Sequence, residues 1–312
     1  MKPLLADLLI CPACLPEERN LALHVEEGDA ADIVRGLLTC DRCGRTYPIA
    51  EGLADLDPNR ENRPRSRSKY ESPTVLSSYL WSHFATILGE EQASGAYIHW
   101  AGLMAPADGL CLDIGAAVGR FAFEMANKCG FVIGLDNSVS FMRTARELMR
   151  RRRLRLTLPD EGELILERDL VLPGDWQTAN MEFIVADAQA LPFSSDRFAA
   201  VASLNMVDKV PRPLVHLREA NRVAAPRQAQ FLLSDPFSWS AEAAAPEDWL
   251  GGRRQGLFAG HGLGNIRGLL GQADGPLGPA WTIDGQGQVW WTIRTHSNHY
   301  EWIRSRYVKA VR

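Results

Sequence analysis

Two C-x-x-C pairs stand near the start of the chain: Cys11-Pro12-Ala13-Cys14 and Cys40-Asp41-Arg42-Cys43. A knuckle of this spacing folds two thiolates onto one side of a tight turn, and two knuckles complete a tetrahedral four-sulfur shell for Zn²⁺. Cys11, Cys14, Cys40 and Cys43 are therefore the expected metal ligands. A pair of disulfides would not persist in a cytosolic chain, and a single redox C-x-x-C leaves the second knuckle unexplained. A shell closed by four thiolates has no open position, so its role is structural. The other two cysteines, Cys111 and Cys129, lie far from these four and apart from each other.

The residues around the knuckles carry a resemblance. Leu4-Leu5-x-x-Leu8-Leu9 leads into the first pair, and Leu21-Ala22-Leu23-His24-Val25 reads as a strand. Leu37-Leu38-Thr39 leads into the second pair, followed by Gly44-Arg45, Tyr47-Pro48-Ile49 and Gly52. Over residues 1–57 this resembles the small zinc-ribbon proteins that activate tRNA and release-factor methyltransferases. In that family the ribbon is a separate partner chain; here it precedes another domain. Residues 1–57 hold five basic and eleven acidic residues, a net charge of −6. Zn²⁺ with four thiolates adds about −2. Such a surface repels phosphate, so a stabilising or protein-contacting module is expected rather than an RNA-gripping finger. Residues 58–70 read as a basic linker. From Asp57 to Lys69 five positive charges stand against two negative, with no apolar residue except proline. That composition is extended and solvated, a tether over the acidic ribbon.

A chain of 312 residues suggests about two domains. With 46% hydrophobic and 23% charged residues it is an ordinary globular sequence, neither disordered nor fibrous. No apolar run reaches the roughly 18 to 20 residues of a membrane-spanning helix. Asp7 interrupts the short apolar start, which is not a secretory signal, so the expected location is cytoplasmic. A net charge of −4 argues against a protein whose main task is gripping nucleic acid.

Residues 71–312 read as the second domain. Ser72-Pro73 is a helix start. Val75, Leu76, Tyr79, Leu80, His83, Phe84, Ile87 and Leu88 follow at helical spacing. A second helical stretch carries Tyr97, Trp100, Ala101 and Met104. Apolar strands are expected at 110–114, 131–135, 182–185, 199–204 and 229–233, with helices near 119–128, 138–151 and 211–224. This alternation predicts an α/β fold, a Rossmann-like, mostly parallel sheet with helices on both faces, joined to the small ribbon. Arg150-Arg151-Arg152-Arg153-Leu154-Arg155 opens an inserted β-hairpin near 150–180, turning at Pro159-Asp160-Glu161-Gly162.

The first of these strands ends in Asp113-Ile114-Gly115-Ala116-Ala117-Val118-Gly119, whose glycines permit a tight strand-to-helix turn and close approach to a ligand. Asp136 ends the next strand, 23 residues after Asp113, where an acid suits a ribose diol. Val185-Ala186-Asp187-Ala188-Gln189-Ala190-Leu191-Pro192-Phe193 and Asp196-Arg197-Phe198 follow. This order resembles the class I S-adenosylmethionine-dependent methyltransferases. The resemblance implies S-adenosylmethionine as cofactor, bound by Asp113, Gly115, Ala117, Gly119, Asp136, Asn137, Ser138, Asp187, Ala188 and Asn205. Gly115 and Gly119 would flank its methionine part with Asp113 beneath, Asp136 would hold the ribose, and Asp187 with Ala188 would face the adenine. Ala117 departs from the family's usual glycine, which keeps a non-catalytic cofactor-binding scaffold as an alternative. A nicotinamide enzyme would need G-x-G-x-x-G, which the loop lacks.

The acceptor is less constrained. There is no N-P-P-Y, as in enzymes that methylate exocyclic or amide nitrogens, and no Pro-Cys nucleophile. The hairpin, Tyr79-Leu80-x-x-His83-Phe84, Leu204-Asn205-Met206-Val207-Asp208, Trp291-Thr292-Ile293-Arg294 and His299-Tyr300 together resemble the methyltransferase domain of ovothiol synthases. That resemblance implies a small-molecule acceptor. A competing one is to ribosomal-RNA guanine-N1 methyltransferases, which also place a zinc knuckle before the catalytic domain. The acidic ribbon and a net charge of only +2 over 58–312 favour the small molecule over RNA. Methyl transfer needs alignment and exclusion of water more than a nucleophile. If the acceptor is protonated, Tyr79, His83, His99 and Asp208 are the candidate bases. His216 is expected at the surface, and Trp81, Trp100, Trp239 and Trp249 in the core or along a pocket.

Overall fold

The computed structural model describes residues 1–60 and 68–312, so most of the expected basic linker lies outside the described residues. The first strands, β1 (Leu21–Gly28), β2 (Ile33–Cys40), β3 (Thr46–Ala50) and β4 (Leu53–Ala54), form an antiparallel sheet in chain order. β2 alternates apolar residues inward, burying Ile33, Leu38 and Cys40.

Helix α1 (Pro73–Leu88) starts as its sequence predicts: the Ser72 hydroxyl accepts the Val75 N–H at 3.2 Å, and Pro73 occupies the first turn. Gly89, in left-handed conformation, ends it. After α2 (Ala96–Leu103) the chain alternates: β5 (Ala107–Ile114), α3 (Arg120–Ala126), β6 (Cys129–Asp136), α4 (Val139–Arg151), the hairpin β7 (Arg153–Pro159) and β8 (Ile165–Val171), β9 (Met181–Val185), β10 (Phe198–Leu204), α5 (Pro213–Val223), β11 (Gln230–Asp235) and α6 (Gly262–Leu270). A long hairpin, β12 (Thr282–His296) and β13 (His299–Val311), follows. The seven-stranded sheet has the order β12-β13-β11-β10-β5-β6-β9. Its five strands from β11 to β9 are parallel, and β13 runs antiparallel to β11. β5 lies between β10 and β6, so the strand order reverses there. The crevice beyond those strand ends is where open α/β sheets bind ligands.

The β7–β8 hairpin buries Leu156, Leu158 and Leu170 in one cluster with Leu80, Trp81 and Phe84 of α1. The ribbon packs on the opposite edge. Ile10 N–H donates to the Pro192 carbonyl at 3.0 Å and Leu56 N–H to the Val185 carbonyl at 2.8 Å. Leu5, Leu9, Tyr47 and Leu56 share a core with Ile133, Ile184 and Phe193. Among the described residues, no helix is long and apolar enough to cross a membrane.

Candidate active site

The four knuckle sulfurs converge. All lie within 4.8 Å of one another, with Cys11 and Cys43 Sγ 3.7 Å apart and Cys14 and Cys40 Sγ 3.8 Å apart. Tetrahedral Zn²⁺ with bonds of about 2.3 Å needs sulfurs about 3.8 Å apart, so the donor set fits the ion. The Tyr47 hydroxyl sits 3.3 Å from Cys11 Sγ, placed to donate to a thiolate ligand.

At the crevice, the loop after β5 carries Gly115 and Gly119 at φ of 78° and 87°. The left-handed conformation disfavours a side chain at Gly115, and an added Cβ would lie 2.2 Å from Met206 Sδ, so Met206 would have to move. Ala117 adopts φ 46°, a conformation costing an L-residue about 1–2 kcal/mol. Its N–H is held by Asp136 Oδ2 at 3.2 Å, while Asp136 Oδ1 accepts the Ser138 N–H at 2.9 Å. Burial pushes the Asp136 carboxyl up to about 6. Burial, with the nearby Asp136 charge, pushes Asp113 up to about 8. Asp113 Oδ2 is buried without a hydrogen-bond partner among the described residues. A buried carboxyl with one oxygen unpartnered among the described residues, two residues before Gly115, fits a ligand that brings its own cation.

The cleft, about 850 Å³ with its mouth, is lined on this side by Gly115, Ala117, Asp136, Asn137, Asp187, Ala188 and Asn205. Asp113, Gly119 and Ser138 stand behind the lining. Gly119 lies against the Phe183 ring, and Ser138 caps α4 while donating to the Tyr70 carbonyl at 3.0 Å. The other wall is aromatic: Tyr70, Tyr79, Tyr97, Phe141 and Trp291, with His83. The Tyr79 and Phe141 rings are 4.9 Å apart. His83 Nε2 and the Tyr97 hydroxyl are 2.6 Å apart, and His83 Nδ1 is buried without a partner. Burial and the Arg120 guanidinium hold His83 well below the usual histidine range, so it is neutral. Burial raises the Tyr79 and Tyr97 hydroxyls, which stay protonated. Among the described residues Lys209 is the single Lys or Arg in the lining, 3.1 Å from Asp208 Oδ1.

Residues 112–231 match the family model described as a methyltransferase domain, and residues 2–52 match the model for Trm112p-like proteins. The chain joins a domain similar to methyltransferases to a Trm112p-like one. None of the curated proteins matches its sequence. Among solved structures, the chain resembles a Haloferax volcanii complex of the Trm112 methyltransferase activator, with 18% identity and a TM-score of 0.37 over 55% of this chain and 61% of the other, less than two thirds of that chain. It resembles a protein of echinomycin biosynthesis, associated with conversion of a disulfide bond into a thioacetal group, with 18% identity and a TM-score of 0.45 over 70% and 81%. A third is the Haemonchus contortus phosphoethanolamine N-methyltransferase 2 with S-adenosylmethionine, with 18% identity and a TM-score of 0.38 over 61% and 37%.

The candidate bases separate in space. Tyr79 and His83 line the cleft. His99 is exposed beside Tyr307, ring centroids 5.8 Å apart, and lies outside the lining because α2 turns it outward. Asp208 is buried outside the lining; its Oδ2 accepts the Ser238 N–H at 2.7 Å. His216, expected at the surface, is fully buried, since 216, 220 and 223 share one face of α5. Trp81 and Trp100 are core residues, and Trp239 stacks on Trp249. The tryptophan that walls the cleft is Trp291, and Tyr70, at the end of the expected linker, is a second wall that sequence reasoning missed.

Proposed function

We propose that this chain transfers the methyl group of S-adenosylmethionine to a nitrogen, oxygen or sulfur of a small molecule, in the cytoplasm. The carrying observation is the aromatic wall of Tyr70, Tyr79, Tyr97, Phe141, Trp291 and neutral His83, where Lys209, already paired, is the one Lys or Arg among the described lining residues. An RNA site would call for a basic groove. The basic run at 150–155 lies outside this cleft, and Arg150 and Arg151 border a separate groove with Arg143, Arg146, Glu51 and Glu147. Arg151 pairs with Glu147, Arg155 with Glu167, and Arg152 donates to the carbonyls of Trp176 and Pro173. Arg150 lies 3.7 Å from Asp32.

The bound sulfonium supplies the activated methyl group. In this reading Gly115 lets the backbone approach the methionine part, Asp113 faces its ammonium, Asp136 holds the ribose hydroxyls, and Asp187 with Ala188 faces the adenine. Residues 1–57 brace the β9 edge, and residues 71–312 form the catalytic unit. The aromatic wall orients the acceptor and excludes water, and His83, neutral in that wall, is the proposed proton acceptor for an acceptor that must lose one. Labelled methyl transfer tests the reading, with total RNA and a small-molecule extract as separate acceptors. Label is expected in the small-molecule fraction. RNA labelling that disappears when Arg150 to Arg153 become Gln would replace this reading with RNA base methylation, because each lost phosphate contact weakens RNA binding.

A further inference from the structure

α5 begins just beyond Met206–Pro211, which borders the cleft, and two hydrogen bonds join its first turn to the loop after β9. Arg212 N–H donates to Gln189 Oε1 at 3.1 Å. His216 Nδ1 lies 3.2 Å from the Ala188 carbonyl. A carbonyl oxygen only accepts, so Nδ1 carries the ring proton. Burial lowers the imidazole's affinity for a second proton. The neutral ring therefore accepts at Nε2, from the Ser203 hydroxyl of β10 at 2.8 Å. The pair looks like a serine–histidine dyad, but both residues are 0% exposed and neither lines the cleft. Both ring nitrogens are already engaged.

The peptide that His216 grips has a second end. Gln189 N–H, in the same planar unit as the Ala188 carbonyl, donates to Asp187 Oδ1 at 2.9 Å. Fixing the carbonyl fixes the direction of that N–H, and with it the Asp187 carboxylate. We propose that His216 is a positioning residue for the adenine end of the cofactor, acting through the Ala188–Gln189 peptide on Asp187 and Ala188. This rests on the reading of Asp187 and Ala188 as the adenine-facing residues.

The geometry makes an atom-specific test. Asn places a donor amide near the position of Nδ1, whereas Gln reaches toward Nε2 and leaves the Ala188 carbonyl without its donor. With S-adenosylhomocysteine as probe, His216→Gln is expected to weaken binding about tenfold, the scale of one lost hydrogen bond. His216→Asn is expected to stay within about threefold of wild type. A histidine that only stabilises the core would lower the melting temperature of both variants without separating their affinities. Equal affinities for the two folded variants, high or low, overturn the proposal. Asp187→Asn tells the two layers apart. If it leaves affinity unchanged while wild type binds, the adenine assignment is wrong; if it weakens binding and His216→Gln does not, only the His216 role falls. Should the His216 variants fail to fold, nitrogen NMR of ring-labelled histidine in the wild type decides. A protonated Nδ1 whose signal shifts on adding S-adenosylhomocysteine supports the proposal; a signal the ligand leaves unmoved overturns it.

Discussion

Two groups of carboxylates in this molecule are treated in opposite ways. At the seam between ribbon and sheet, Glu182 accepts from Arg146 Nε at 3.2 Å and from the Lys2 N–H at 2.7 Å. Asp32 is paired with Arg146 and with the Met1 amine. At the cleft, with Asp136 in its lining and Asp113 behind it, neither carboxyl has a cation beside it among the described residues, and they are pushed up to about 6 and about 8. Charge closed within the chain holds two domains together. In the proposed reading, carboxyls left without a cation beside the glycine loop meet one brought by the ligand.

The largest effect should come from breaking the ribbon. The protein should contain one Zn²⁺ per chain. Cys11→Ser should lose the metal and unfold the ribbon, since structural zinc contributes on the order of 10 kcal/mol to such domains. Elemental analysis with limited proteolysis checks both; intact cysteines without zinc contradict it. Next in size is Arg146→Met, which leaves buried Glu182 without its cation and takes one of several from Asp32. A loss of about 3–5 kcal/mol is expected in denaturant unfolding. Adding Asp32→Asn and Glu182→Gln should recover part of it.

The cleft should show the reverse behaviour. Asp113 and Asp136 keep protons in the fold that the unfolded chain releases near pH 4. The folded state then binds more protons between about pH 4 and about pH 8, so the protein without ligand loses stability as pH rises through that window. Each group still protonated contributes at most about 1.4 kcal/mol per pH unit. Melting temperatures across that range check the sign, and S-adenosylhomocysteine should flatten the fall. Asp136→Asn should weaken S-adenosylhomocysteine by about 1.5–3 kcal/mol without lowering the melting temperature of the unliganded protein. A variant that loses stability as Arg146→Met does would erase the contrast. The smallest effect is Ala117→Gly. Relief of the left-handed conformation, partly offset by glycine's entropy, should stabilise by up to about 1 kcal/mol.

The glycine-loop side of the cleft was legible in the sequence because its signals are local. Asp113, Gly115, Asp136 and Asp187 each sit at a strand end, where a motif and a turn coincide. The acceptor wall was less so, because Tyr70, Tyr97, Phe141 and Trp291 come from distant parts of the chain and only the fold brings them together. The β12–β13 hairpin escaped as strands because Gly285-Gln286-Gly287-Gln288 has weak strand preference. α6 escaped because Gly262, Gly264 and Gly268 are poor helix formers. His216 did leave a trace, a helical spacing with Ala220 and Val223, that its polarity outweighed.

Calorimetric titration with S-adenosylhomocysteine at pH 7, repeated in two buffers of different ionisation enthalpy, tests the open charge of the cleft most directly. With a cation placed beside Asp113, that carboxyl must ionise, so binding should release a proton and the apparent enthalpy should depend on the buffer. Asp113→Asn should remove that dependence. Binding with no proton release, or no binding at all, would contradict the account.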